Sequence, residues 1–351
     1  MNQPSSRDAA AASTSSPVHE AALPSRRRAL FAAVAATAPL ALALTGCGGD
    51  GGGDSLPTAT ATASLTGVFG GAVNTPTRFV DVGGRRLAYR SVGVGKPIVL
   101  CHRFRGVLDW WDPAFIDGLA AKGYQVVYFD YTGLGRSTGP RTYDAVSLAK
   151  DAKDLIDALG LKNVVIGGWS IGGIAAQIYL AQYGADVSHV LLIGTTPPGP
   201  LVKTAEPSFF VTASQPVLDL PGFTDSFFEP TNNGSRAAAR LSWDRINARQ
   251  GDRSPDVPAD WAVEQLRTLP TNPVFPSDAV LAVLKTTTVP ILHLGADHDI
   301  IFPVDNWYAL NNQLPTLNLI TYPRTGHGPH QQYPEAAASD IAAFIKGTTR
   351  Q

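Results

Sequence analysis

The residues of this chain best suited to chemistry begin with a serine set between glycines. Gly168-Trp169-Ser170-Ile171-Gly172 spells G-x-S-x-G, the pattern of a sharp strand-to-helix turn that lifts a serine hydroxyl above a parallel sheet. The glycines answer a steric need. The serine sits in strained backbone, and side chains beside it would collide with the neighbouring strand and helix. A serine hydroxyl at neutral pH is a poor nucleophile and needs a base, which in turn needs an orienting acid. The chain offers both after Ser170, in the order Ser, Asp, His. Gly295-Ala296-Asp297-His298-Asp299-Ile300-Ile301-Phe302-Pro303 follows an apolar run and supplies Asp297 and Asp299 as acids. Thr325-Gly326-His327-Gly328-Pro329-His330 supplies His327 and His330 as bases.

The same crowd of His293, Asp297, His298, Asp299, His327 and His330 has to be read for metal binding. The H-x-x-H pair sits in a Gly/Pro loop and not on a helix, and no HExxH motif or cysteine ligand supports it. The sequence therefore assigns neither metal nor cofactor. His293 reads as a core residue within its strand.

The elements that must position these residues follow from hydrophobic patterning. Arg78–Val82, Gly83-Gly84 and Arg85–Arg90 read as a hairpin with a two-residue turn. Pro97–Cys101, Gln125–Asp130, Val164–Gly167, His189–Ile193 and Val289–Gly295 are continuous apolar runs of the kind buried on both faces of a sheet. Helices are predicted near 113–122, 144–159, 305–314 and 334–346, and a last strand over 317–321. Strands alternating with helices imply an α/β fold with a mostly parallel sheet and right-handed crossovers. The alternation breaks after Thr196. A Pro- and aromatic-rich stretch with helical patches near 235–249 and 258–268 runs to about 286, too long for a structureless loop, and reads as a cap over the site. The core accordingly spans 77–200 and 287–351, and the cap 201–286.

The G-x-S-x-G turn, the acid loop before a proline and the late Gly326-His327 together resemble the α/β-hydrolase fold. So do Leu100-Cys101-His102-Arg103-Phe104 and Asp130-Tyr131-Thr132-Gly133-Leu134-Gly135-Arg136-Ser137. The resemblance covers residues 77–347 apart from the cap. It implies Ser170 as nucleophile, Asp299, four residues before Pro303, as acid, and His327 as general base. It also implies an oxyanion hole from the backbone N–H groups of Ile171 and Phe104. Asp130–Ser137 reads as a structural turn under the site. The chain departs from the family at Arg103, where a glycine is usual, which bears on the geometry of the hole. Arg103 or Arg105 either reaches the pocket and favours a substrate carboxylate, or faces solvent or an acid.

A serine nucleophile implies an ester-cleaving serine hydrolase acting on a small molecule. It argues against the family's dehalogenases and epoxide hydrolases, which use aspartate. It does not separate a carboxylesterase from a lactonase, C–C bond hydrolase, aminopeptidase or haloperoxidase-like relative. Intact Ser, Asp and His argue against a non-catalytic, surface-tethered binding protein.

Acidic and basic side chains nearly cancel, at a formal net charge of -1, and no basic cluster follows Arg28, so nucleic acid is not an expected partner. Ser25-Arg26-Arg27-Arg28, the apolar run Ala29–Leu44 and Thr45-Gly46-Cys47 read as an export signal. Leu44–Cys47 resembles the bacterial lipobox, whose cysteine is lipidated, and the arginines loosely resemble a twin-arginine signal. Residues 1–47 are thus expected to be a disordered leader with a lipoprotein-type signal, and 48–76 a flexible Gly/Ala/Thr tether. This implies an exported protein held at the cell envelope, touching membrane only through Cys47. The remaining cysteine, Cys101, is left as a lone thiol. The sequence does not specify an oligomeric state.

Overall fold

The computed structural model describes residues 71–349 apart from 269, 271 and 276. Cys47, the basic and apolar leader and most of the expected tether lie outside the described residues; the end of that stretch is not a free tether, because Gly71–Asn74 is helical, Ala72 is buried in the core and its N–H donates to Asp117 Oδ1 at 2.9 Å. No helix among the described residues is long and apolar enough to cross a membrane.

The strands are β1 (Arg78–Val82), β2 (Arg85–Val92), β3 (Lys96–Cys101), β4 (Tyr124–Phe129), β5 (Val164–Trp169), β6 (Val187–Ile193), β7 (Ile291–Ala296) and β8 (Leu317–Tyr322). They form one sheet of eight strands in the order β1-β2-β4-β3-β5-β6-β7-β8. The hairpin β1–β2 is antiparallel and β2 joins β4 antiparallel; every pairing from β4 onward is parallel. β5, β6 and β7 are apolar because they are central, and β5 and β7 are buried along their whole length. β1 and β8 are edge strands and alternate or stay half-exposed.

The helices are α1 (Gly71–Asn74), α2 (Pro113–Ala121), α3 (Ala145–Ala158), α4 (Ile171–Tyr183), α5 (Pro207–Ala213), α6 (Leu220–Phe227), α7 (Asn233–Ile246), α8 (Ala259–Thr268), α9 (Asp278–Thr286), α10 (Asp305–Tyr308), α11 (Pro329–Gln332) and α12 (Pro334–Thr348). α3, α4 and α9 pack together in one layer, and α1, α2 and α12 in another. Side-chain caps fix the starts of α2 and α3. The Asp112 carboxylate accepts from Ala114 N–H at 2.9 Å, and that of Asp144 from Ser147 N–H at 2.8 Å.

Five helices, α5–α9, lie between β6 and β7. α7 and α8 match the predicted patches. α5 and α6 were not predicted because they are short and open on proline, so they show too little period to read. The helix expected over 305–314 is shorter: α10 ends at Tyr308 and turns follow. Asn312, in the left-handed region at φ 64°, is incompatible with a continuing helix.

The strand order creates one crevice. β3 connects through α2 to β4 on one side, whereas β5 connects through α4 to β6 on the other. Carboxyl ends of adjacent strands whose connections part in this way are where ligands bind in open α/β sheets. The register pairs Cys101 with Gly168, so the loop after β3 lies beside the start of α4. That approach leaves no room for side chains. A Cβ on Gly172 would stand 2.2 Å from the Cys101 carbonyl oxygen, and one on Gly168 2.0 Å from that of Gly172. Because the obstacles are backbone, Gly172→Ala is expected to lose about 3 kcal/mol of stability, the upper end of the cost of overpacking. Urea unfolding checks this, and a midpoint equal to wild type would contradict the close approach.

Candidate active site

Ser170 stands between β5 and α4 with φ 61° and ψ −124°, a conformation that residues other than glycine rarely adopt. Its neighbours hold it there. Its N–H donates to the Ile193 carbonyl at 2.9 Å, continuing the β5–β6 ladder, and its carbonyl accepts from the Gly173 N–H at 2.9 Å and from Thr195 Oγ1 at 2.7 Å. Ser170 is buried yet lines a cavity, at the N-terminus of α4, where the helix dipole favours developing negative charge.

The loops after β7 and β8 bring Asp299 and His327 together. Nδ1 of His327 stands 2.8 Å from Asp299 Oδ2 and 3.0 Å from Oδ1, with both residues buried. Asp299 Oδ1 also accepts from the N–H groups of Ile301 at 2.8 Å and Phe302 at 2.9 Å. Burial opposes ionisation of Asp299. The facing imidazole and the two N–H donors outweigh it and hold the carboxyl below its ordinary range. His327 is fixed from its backbone as well, since its carbonyl accepts from Trp169 Nε1 at 2.8 Å. Its ring lies between Phe227 and Phe302, with centroids 6.2 and 5.8 Å away. Among the described residues its Nε2 meets no hydrogen-bond partner, and the side chain lines the same cavity as Ser170.

The other acid and base lie apart. Asp297 is at the surface, 2.7 Å from His298 Nδ1, and its carboxylate accepts from Thr325 N–H at 3.2 Å. His330 is fully buried against Trp169, at a centroid distance of 4.5 Å, and Phe115, at 5.0 Å. His293 is buried in β7 against Trp307 at 4.8 Å, where burial pushes it down to about 4. Asp130 works as a turn clamp. Its carboxylate accepts from the N–H groups of Leu108 at 2.7 Å and Arg136 at 2.9 Å, and from Ser254 Oγ at 2.6 Å. Burial pushes it up to about 6.

Phe104 and Ile171 both border cavities that touch Ser170. Among the described residues, neither backbone N–H donates to a protein acceptor. The arginine at the usual glycine position does not strain this loop, because the left-handed conformation falls two residues later, at Arg105 (φ 57°). Arg105 is occupied. Its N–H donates to Tyr143 Oη at 2.8 Å, and its guanidinium to the carbonyls of Ala213, Gln215 and Pro216 at 3.1, 2.6 and 3.2 Å. Arg103 is different. It is only 3% exposed and sits 4.5 Å from the Phe227 ring centroid, 5.1 Å from Trp110 and 5.2 Å from Trp169. Burial pushes its guanidinium down to about 9, which still leaves it charged at neutral pH.

Two cavities meet at Ser170. The first, of about 110 Å³, has Arg103, Trp110, Phe227, Asp256 and His327 in its wall. The second, of about 210 Å³, is lined by Ile171, Phe209, Phe210, Leu266, Val274 and Phe302. Their walls come largely from the segment between β6 and β7. Sequence reading missed Arg103's aromatic enclosure and Asp256; of the three rings only Phe227 belongs to the aromatic-rich stretch after Thr196.

The chain matches the description "alpha/beta hydrolase fold" over residues 96–332, more than half its length. It is 27% identical over 271 residues to a non-heme haloperoxidase of Rhodococcus erythropolis, covering 75% of this chain and 97% of that protein. Among solved structures it is similar to an alpha/beta hydrolase fold protein from Chitinophaga pinensis. That comparison gives a TM-score of 0.66, 27% identity and coverage of 78% of this chain and 98% of that one. An esterase from Exiguobacterium antarcticum shares the fold with a TM-score of 0.60 at 21% identity, over 78% of this chain and 99% of its own. With the serine turn, the Asp299–His327 pair and the eight-stranded sheet in place, the chain belongs to the α/β-hydrolase fold family.

Proposed function

We propose that this α/β hydrolase cleaves an ester-like bond of a small molecule through an acyl-enzyme on Ser170. The observation that carries the reading is the His327 imidazole. Asp299 holds it through Nδ1, its Nε2 is unpartnered among the described residues, and it shares a cavity with a serine on a strained strand-to-helix turn. In this reading His327 Nε2 takes the Ser170 proton as the hydroxyl attacks the carbonyl. The N–H groups of Ile171 and Phe104 stabilise the oxyanion, at about 3 kcal/mol each. His327 then gives the proton to the leaving oxygen, and a water repeats the sequence to release the acid. Asp299 keeps the imidazole oriented and stabilises its charged form without taking the proton itself. The segment carrying α5–α8 acts as a cap that selects the substrate. The Rhodococcus erythropolis relative favours haloperoxidase-like activity as a second reading, which a halide-oxidation assay on the purified protein addresses.

A fluorophosphonate probe is expected to label the wild type and not Ser170→Ala; an unlabelled wild type would overturn the serine-hydrolase reading. Asp299→Asn is expected to lower kcat on short neutral esters by about four orders of magnitude, since the imidazole loses its orienting charge. A fall of less than tenfold would remove Asp299 from the machinery. We further propose that residues 1–47 act as a lipoprotein-type signal, with lipid on Cys47, and 48–70 as the tether. Full-length protein expressed in a bacterium is then expected in the detergent phase on partitioning, and Cys47→Ser in the aqueous phase; identical partitioning would refute the anchor.

A further inference from the structure

We infer that Arg103 recognises a carboxylate carried on the leaving half of the substrate. The inference rests on the serine-hydrolase reading for its orientation, and on the surroundings of Arg103 for its chemistry.

The guanidinium spends one donor on the protein: Nη1 donates to the Phe104 carbonyl at 2.7 Å. Nε and Nη2 have no acceptor among the described residues. These two N–H groups share one edge of the guanidinium, the edge whose spacing matches the two oxygens of a carboxylate. A buried donor without an acceptor is costly, and a buried cation without a counter-charge more so. The chain meets that cost elsewhere by pairing. Arg90 stands 2.8 Å from Asp109, Arg85 2.8 Å from Asp151 and Arg245 2.6 Å from Asp112. The faces of Arg103 meet the rings of Phe227, Trp110 and Trp169, which hold its plane without satisfying its edge.

The charged and titratable groups around it do not fill the role. Asp256 is in the same cavity wall, but it accepts from Trp110 Nε1 at 3.0 Å and makes no ion pair with Arg103. Tyr143 Oη accepts from Arg105 N–H, and Arg105 is tied to carbonyls. His330 is enclosed by rings, and His327 faces Asp299. Both donors of the free edge are closed from solvent, and Arg103 stands in the wall of the cavity that Ser170 and His327 also line.

Orientation follows from the two cavities. The base must return its proton to the leaving oxygen, so the leaving half occupies the cavity that His327 lines, which is also the cavity of Arg103. The acyl half takes the other cavity, whose wall is mostly aromatic and aliphatic and includes Ile171. The substrate class is an ester of a short, carboxylate-bearing alcohol with an apolar acyl group.

The test compares kcat/KM for the butyrate ester of glycolate with that of glycolamide, and for monomethyl succinate with methyl succinamate. Wild type is expected to prefer the glycolate ester by about tenfold to a hundredfold, the range for a hydrogen-bonded charge. The succinate pair should show no comparable preference. Arg103→Gln should bring the glycolate ratio near one, while Arg103→Lys, which keeps the charge without the fork, should retain only part of it. A wild-type ratio near one, a ratio unchanged in Arg103→Gln, or a preference confined to the succinate pair would each overturn the inference. Calorimetric binding of the two intact butyrate esters to Ser170→Ala needs no turnover and no change at Arg103. Tighter binding of the glycolate ester is expected, and equal affinities would overturn the inference even if the chain hydrolyses neither compound. Failure of the serine-hydrolase reading registers separately, as absence of fluorophosphonate labelling.

Discussion

The backbone of Ser170 is the constraint on which the rest of the site depends. A serine at φ 61° and ψ −124° costs about 1–3 kcal/mol and persists only where its surroundings over-determine it. Here the sheet does so. The Ile193 carbonyl and the Thr195 hydroxyl, both from the end of β6 and the loop beyond, fix the peptide groups on either side of the Ser170 Cα. Gly172 lets the β3 loop close against the start of α4, which brings Phe104 beside Ile171. Relaxing Ser170 would therefore disturb three things together: the height of the hydroxyl, the start of α4 and the approach of the two free N–H groups.

Much of this was legible in the sequence because it is local or ordered along the chain. The turn needs its glycines at fixed offsets, and the central strands must be apolar throughout because both faces are covered. Asp299 and Asp297 are only two residues apart, and residue type alone does not separate them. The fold does, by burying Asp299 under the Ile301 and Phe302 N–H groups and leaving Asp297 outside with His298. The surroundings of Arg103 were not legible, for a physical reason. Trp110, Trp169 and Phe227 come from a loop, a strand end and a helix in the inserted segment, and no spacing announces that they converge. Nor does spacing reveal that the left-handed residue of the loop is Arg105, which frees position 103 for a long side chain.

The inserted segment is tied to the core by different bonds along its length. At α7, Asp112 accepts from Ser242 Oγ and Arg245, and between α7 and α8 the Ser254 hydroxyl donates to Asp130. These bonds are buried or partly buried and tie the segment to the cap of α2 and the end of β4. At α5 the ties are the Glu206 N–H on the Ile300 carbonyl at 2.8 Å and, largely on the exposed side, Arg105 on three carbonyls, and Val211 and Val217 are left 65% and 73% exposed. Val217 also borders the cavity of Arg103. An exposed apolar residue in the wall of a buried cavity marks its mouth, so the path to Ser170 runs past α5 and not past α7.

The crowd of imidazoles around Ser170 resolves by the same reasoning about charge. Burial holds His102 and His330 well below the ordinary histidine range, and the nearby Arg103 cation adds to the effect on both. Neither ring has a hydrogen-bond partner among the described residues; they pack as flat apolar groups, His102 against Trp111 at 4.9 Å and His330 against Trp169. A proton on either would add a second positive charge beside Arg103. Of the three imidazoles only His327 has a carboxylate at hydrogen-bonding distance, and that imidazole together with two backbone donors holds the carboxyl below its ordinary range. The fold thus sets a carboxylate against one imidazole while holding its two neighbours neutral. That difference in environment, more than residue type, separates His327 from the histidine three positions later.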